Sequence, residues 1–260
     1  MNTRIIKSFA GLVLLTFIFS GNLQAQIVNV ELQRMQNDSI KLAGHAAASF
    51  QYQQNNKKEL LQLNISAAVQ LRSKCLKDVL LILGSYELSK SNTSTLSNAG
   101  FAHLRYTRKF NKFFRWEVFT QYQSNPVLLL KMRALAGTGP RFKIANKPKL
   151  KSSVGTLYMF EHEESSETIP KTYNHHRLSA YFTLTWTLPG NVCELSTITY
   201  YQPRIDFFND FRLTHQSAIS FALGKHIALV AGLRYLYDAF PPEDVVKSSF
   251  ASDLGIKASF

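Results

Sequence analysis

Ser248-Ser-Phe-Ala-Ser-Asp-Leu-Gly-Ile-Lys-Ala-Ser-Phe260 closes the chain. Phe250, Leu254, Ile256, Ala258 and Phe260 share one parity, while Ser249, Asp253, Lys257 and Ser259 share the other. A β-strand sends successive side chains to opposite faces, so this stretch is a ribbon with one apolar and one polar face. An isolated edge strand of a soluble protein reads the same way, so the upstream chain has to decide between the two.

The same period runs back through the chain. Leu61, Leu63, Ile65, Ala67, Val69 and Leu71 alternate with Gln62, Asn64, Ser66, Gln70 and Arg72. Phe114, Trp116, Val118, Thr120 and Tyr122 oppose Arg115, Glu117, Gln121 and Gln123. A helix of period 3.6 would scatter these polar residues around its circumference. Between Leu42 and Phe260 the alternation predicts about twelve strands of about ten residues or more, an even number as in bacterial barrels. The terminal strand is expected to pair with both Leu42–Gln53 and Ile227–Tyr237.

Charge placement sharpens the reading. Lys131, Arg133, Arg141 and Lys143 keep one parity, as do Arg115 with Glu117, Glu161 with Glu163, and Asp253 with Lys257. A charge on a lipid-facing position near a bilayer midplane costs about 2–4 kcal/mol, which accounts for the segregation. The inward charged set is therefore Arg72, Glu87, Arg105, Arg115, Glu117, Lys131, Arg133, Arg141, Glu161, Arg177, Arg212, Arg234, Asp238 and Asp253. These side chains either pair and fill a closed lumen or line a narrow pore that favours anions. Trp116 and Trp186 near short turns, with Tyr52, Tyr122, Phe160 and Tyr237 near the opposite ends, have the placement of interfacial girdles. A soluble periplasmic β-sandwich would share the alternation but not the strand length or the terminal aromatic.

Met1–Ala25 has the form of a secretory signal peptide, with Arg4 and Lys7 ahead of the apolar run Phe9–Phe19. That run is short for a transmembrane helix of about 20 residues. Residues 26–41 form a lead segment or a partial plug. The formal charge of the full chain is +13, or +11 once Arg4 and Lys7 leave. Export and the lack of a basic cluster with interleaved aromatics argue against nucleic acid as a partner. Cys75 and Cys193 are read as separate thiols, and no zinc spacing accompanies them.

Three groups carry possible chemistry. His215 and Ser217 lie two apart on one strand face, the spacing of an outer-membrane phospholipase pair, but the flanking motif and an Asn partner are missing. His162, His175 and His176 sit beside Glu161, Glu163 and Glu164, where adjacent histidines point to opposite faces and cannot easily share a metal. Gly137-Thr138-Gly139 lies within a strand and lacks the residues of a phosphate loop, so a bend or a close chain approach is expected there. No cofactor, metal or catalytic set follows from the sequence.

Asp253, Gly255, Ala258 and Phe260 resemble the C-terminal assembly signal of outer-membrane barrels. Ala43-Gly44-His45, His103-Leu104-Arg105-Tyr106, Arg133 to Phe142, Thr199 to Pro203 and Leu236-Tyr237-Asp238 resemble the family catalogued as domain of unknown function 481. Some members of that family are called salt-induced outer-membrane proteins, and the resemblance is greatest to Bacteroidetes-type members. It implies an all-β, transmembrane, antiparallel up-and-down β-barrel over residues 42–260, in the outer membrane. Outer-membrane lipids and the barrel-assembly machinery are the implied partners. It brings no catalytic residues. The expected function is a non-enzymatic barrel, structural or envelope-maintaining, or a narrow pore, with a lipid hydrolase as the alternative.

Overall fold

A computed structural model describes residues 41–258 apart from 56, 57, 93, 225, 226 and 244. The expected leader, most of the lead segment, and Phe260 lie outside these residues. Twelve strands form one antiparallel sheet in which every strand neighbours the next in sequence. They are β1 (Leu42–Asn55), β2 (Lys58–Arg72), β3 (Asp78–Ser91), β4 (Thr95–Lys109), β5 (Phe114–Asn125) and β6 (Leu130–Lys147), followed by β7 (Leu150–Ser165), β8 (Thr172–Thr187), β9 (Cys193–Pro203), β10 (Phe211–Ala222), β11 (Ile227–Asp238) and β12 (Ser248–Ala258). The shortest has 11 residues and the longest 18, enough to cross a hydrocarbon layer at the usual barrel tilt, which takes about 9–11.

The sheet is curled into an up-and-down β-barrel, because side chains on non-adjacent strands meet inside it. Tyr181 on β8 donates to Glu117 on β5 at 2.7 Å. Arg212 on β10 reaches Glu161 on β7 at 2.6 Å. Arg234 on β11 lies within electrostatic reach of Glu87 on β3. On β4 the inner row Ser97, Ala99, Phe101, His103, Arg105 and Thr107 is buried, and Leu104, Tyr106 and their outer neighbours are exposed. Trp116, Trp186, Tyr52, Tyr122 and Phe160 are all exposed on the outer face. This is the inverse of a sandwich, where the apolar face would be the buried one.

Two features depart from the sequence reading. First, β12 pairs with β11 from Tyr237↔Ser248 to Ile227↔Ala258, but among the described residues no ladder joins it to β1. The expected second partner is absent there. β1 is rich in alanine (Ala43, Ala46, Ala47, Ala48), so cross-strand side-chain pairs, the main source of sheet stability, are weakest at this seam. Second, the inner face is not uniformly polar. Val79, Leu81 and Leu83 point inward while Leu80 and Ile82 point outward, so β3 is apolar on both faces. Ala68, Leu81, Leu83 and Phe101 form one inner cluster, and Phe119, Leu135, Leu157, Met159 and Tyr181 form another.

The loops fall into two sets. The connections after β2, β4, β6, β8 and β10 lie at one end of the barrel, and the longest ones, after β7, β9 and β11, lie at the other. The long ones touch each other: Glu167 accepts the Glu243 N–H at 2.9 Å.

Candidate functional site: the lumen and its ion-pair clusters

The inner charges gather into two clusters. Nearer the short-turn end, Glu117 is fully buried at the centre of the first. Its carboxylate accepts from Tyr181 Oη at 2.7 Å, Thr107 Oγ1 at 3.2 Å, Arg105 Nη1 at 3.3 Å and Arg141 Nη1 at 3.5 Å. The two guanidiniums also lie over aromatic faces, Arg105 over Phe119 and Arg141 over Tyr181. Two close backbone approaches make this possible. A Cβ at Gly155 would fall inside the Tyr181 ring, and one at Gly139 would strike the β7 backbone at Thr156 and Leu157. The Gly-Thr-Gly stretch thus marks close approach between strands, as its place in a strand suggested.

The second cluster sits at the long-loop end. Arg212 holds three carboxylates, Glu161 at 2.6 Å, Asp238 at 2.8 Å and Glu163 at 3.0 Å. Arg133 grips Glu163 at 2.8 Å. Arg177, nearly inaccessible, meets Glu161 at 3.4 Å and Asp210 at 3.0 Å, and donates to the Gln202 carbonyl at 3.1 Å. Arg204 closes the cluster on Asp210 at 3.2 Å and on Asp206 at 2.6 Å. Asp206 and Arg204 lie in the loop, where the guanidinium lowers the Asp206 carboxyl below its usual range and is itself raised.

Between the clusters lies a cavity of about 140 Å³, lined by His103, Phe119, Gln121, Tyr200 and Gln216 among others. His103 is stacked between Phe101 and Phe119 and shares a hydrogen bond with Gln121 at 3.1 Å. Arg105 of the first cluster and Arg133, Glu161 and Arg212 of the second line the same space, which reaches Pro242 and Val245 in the long loop.

The remaining inward candidates divide. Glu87 is buried near Ser97 and Arg234. Arg234 approaches Asp253 only to 3.9 Å, and Asp253 is largely exposed. Arg72 and Arg115 line a separate cavity at the short-turn end. Lys131 departs from the expected set. A register shift between Leu130 and Met132 breaks the alternation, and Lys131 is 67% exposed with its ammonium 2.9 Å from Glu164, which sits on the outer parity of β7. One extra residue in a strand reverses the face of what precedes it, so parity counted across a bulge misplaces the side chain.

His215 and Ser217 face outward, as Gln216 between them is buried. They share a hydrogen bond at 2.7 Å, and Thr199 on β9 meets His215 Nδ1 at 2.9 Å. Ser217 also donates to Thr197 at 3.0 Å. A neighbouring-strand partner thus exists, but it is a neutral threonine. β10 is laddered on both edges, which commits its backbone N–H groups and leaves no oxyanion-binding pair beside Ser217. The arrangement is a self-satisfied polar relay on an apolar face. Among the histidines of β7 and β8, His162 bonds Asn174 at 2.8 Å, His176 bonds Tyr158 at 2.5 Å, and His175 stacks on Tyr173. They diverge, and no group of three metal-binding side chains gathers among the described residues. Cys75 and Cys193 are free thiols.

A family model described as "Protein of unknown function, DUF481" matches residues 46–260. The chain belongs to this family. Among solved structures, this DUF481 barrel is similar to the NanC porin, at 9% identity and TM-score 0.47 over 84% of this chain and 98% of that one. It is similar to the KdgM porin in complex with disordered oligogalacturonate, at 12% identity and TM-score 0.44 over 84% and 99%. It is also similar to the translocator domain of the autotransporter NalP from Neisseria meningitidis, at 11% identity and TM-score 0.41 over 99% and 97%. Likeness at this level says nothing about what a barrel binds or passes. No curated protein sequence matches the chain.

Parity alone did not find several residues of the DUF481 lumen. Glu163 shares the parity of Glu161 and could have been included. Asp210 and Arg204 come from a loop folded over the barrel end, and alternation carries no signal there. Tyr181 shares its parity with Ser179 and Thr183 on β8, and only the absent side chain at Gly155 lets it lie inward against β5.

Proposed function

We propose that this chain is a non-enzymatic outer-membrane barrel with a closed, side-chain-filled lumen, serving envelope structure or maintenance. The observation that carries this reading is the pair of buried clusters spanning the interior. Glu117 and Glu161 are inaccessible and Arg177 is 1% exposed, so these charges are paired with one another and not presented to solvent. The apolar outer face and the two aromatic ends fit a bilayer of about 25 Å apolar height, with lipid as the outward partner. The short turns face the periplasm in this reading, and the chain reaches the membrane through export and the barrel-assembly machinery. Planar-bilayer recording of the refolded protein tests it. The expected result is no step conductance across a range of salts; discrete steps, above all anion-selective ones, would instead establish the narrow-pore alternative.

A further inference from the structure

Formal charge is divided between the two ends of the barrel. The connections after β2, β4, β6, β8 and β10 contain no Asp or Glu, and Lys74, Lys77, Lys112 and Lys149 lie in them. Those after β7, β9 and β11 carry five acids against three bases. Lys74, Lys112, Lys147 and Lys149 are all exposed at the short-turn end. The acids on the neighbouring strand ends are engaged. Asp78 takes Arg108 at 2.9 Å and Tyr106 at 2.6 Å, and Glu194 accepts from Thr187 at 3.1 Å. The excess is a positive rim on the outer surface, separate from the paired charges of the lumen.

Strand register sets that rim beside the outer aromatic residues. Leu150 on β7 stands opposite both Lys147 on β6 and Trp186 on β8, and directly opposed residues share a face of the sheet. Trp186 points outward at 45% exposure, so Lys147 lies on the same outer face, two strands or about 10 Å away. The Lys149 carbonyl accepts the Thr187 N–H at 2.8 Å, which keeps the next lysine at that level. Trp116 on β5 is likewise exposed, and the turn leading into β5 carries Lys112 with Phe110 and Phe113 exposed on either side. The sector from β4 to β8 thus presents a row of rings with ammonium groups just beyond it.

We infer that this sector is a docking surface for the headgroups of anionic phospholipids. Indole rings settle at the boundary between acyl chains and headgroups, so Lys112, Lys147 and Lys149 emerge at the level of the lipid phosphate. Each lysine beside an anionic lipid surface strengthens association about fivefold. A zwitterionic headgroup brings its own ammonium and gains far less. Lipid at this sector presupposes the bilayer placement proposed above, and is independent of which end faces the periplasm.

The chain's two tryptophans, Trp116 and Trp186, both lie in this sector and report on it. The full-length protein is folded into vesicles of phosphatidylcholine with phosphatidylglycerol. Quenching of its fluorescence by phosphatidylglycerol brominated in the acyl chains is compared with quenching by brominated phosphatidylcholine. A preference of at least about fivefold for the anionic lipid is expected. It should fall below about twofold in Lys112→Gln with Lys147→Gln and Lys149→Gln, and in wild type at about 1 M salt, where charges are screened beyond about 3 Å. Lys171→Gln, at the other end of the barrel, should leave it unchanged. Heat-modifiable gel mobility verifies folding, and the salt series on wild type serves if the triple variant does not fold. Equal quenching by the two lipids, or a preference that survives the substitutions, overturns the inference and leaves the rim to an acidic protein partner. Absence of quenching by either lipid overturns the bilayer placement, and the inference with it.

Discussion

Replacing Glu117 with Gln keeps the side-chain shape but removes the carboxylate that Arg105 and Arg141 share. Both guanidiniums are almost inaccessible, with side-chain exposures of 4% and 7% against 0% for Glu117. Breaking a buried charge pair by removing one member costs about 3–5 kcal/mol, because the surviving charge stays out of water. The amide oxygen can still accept from Tyr181, whose 2.7 Å bond is the shortest of the four, so the lower end, about 3 kcal/mol, is expected. The contacts to Arg105 and Arg141, at 3.3 and 3.5 Å, are long for charge-assisted bonds. Their contribution is therefore mainly electrostatic compensation rather than directed hydrogen bonding. Urea titration of the protein folded into vesicles, read by Trp116 and Trp186 fluorescence, measures the change. Adding Arg105→Met should then recover at least about 1 kcal/mol, since it removes a stranded charge. Stability of Glu117→Gln within about 1 kcal/mol of wild type, or a further additive loss with Arg105→Met, would refute the closed ion-pair core.

Gly155→Ala places a methyl group where the Tyr181 ring now lies, so the ring must leave Glu117; a loss of about 1–3 kcal/mol is expected in the same titration. Cys75 is exposed in the turn between β2 and β3, and the Ser73 hydroxyl lowers its thiol pKa, which favours the reactive thiolate. An impermeant maleimide should therefore label Cys75 in permeabilised cells but not in intact ones; labelling of intact cells would invert the orientation. Glu167, in the 166–171 loop, is held below its ordinary value of 4.5 chiefly by the Glu243 N–H. A lowered folded-state pKa stabilises above about pH 4.5 and is lost as pH falls through the lower folded value. The protection factor of the Glu243 amide should fall in that acid range and be insensitive to pH there in Glu167→Gln. Deleting Phe260 should reduce assembly into the outer membrane, scored by heat-modifiable mobility, while leaving export unaffected.

The strand map was legible because alternation and charge segregation are imposed by opposite solvents on the two faces, and each strand repeats the signal. The same logic failed where the solvent contrast weakens. β3 is apolar on both sides because Leu81 and Leu83 pack against Ala68 and Phe101 inside the barrel, so alternation vanishes although the strand persists. At Lys131 a single bulge shifted the face, and parity has no memory of insertions. The clusters themselves needed depth as well as parity. Which arginine meets which carboxylate depends on the strand register, on glycines that let Tyr181 cross to β5, and on a loop that delivers Asp210. None of those is encoded in a local period.

Closure is the remaining physical question, and the clusters answer part of it. Contacts from β5 to β8 and from β7 to β10 act as cross-braces that hold the curvature of the central strands without help from the seam. β1 has no such brace among the described residues, where its ladder to β2 holds it. Ion-pair bracing therefore grades from strong at β5–β10 to weak at β1 and β12.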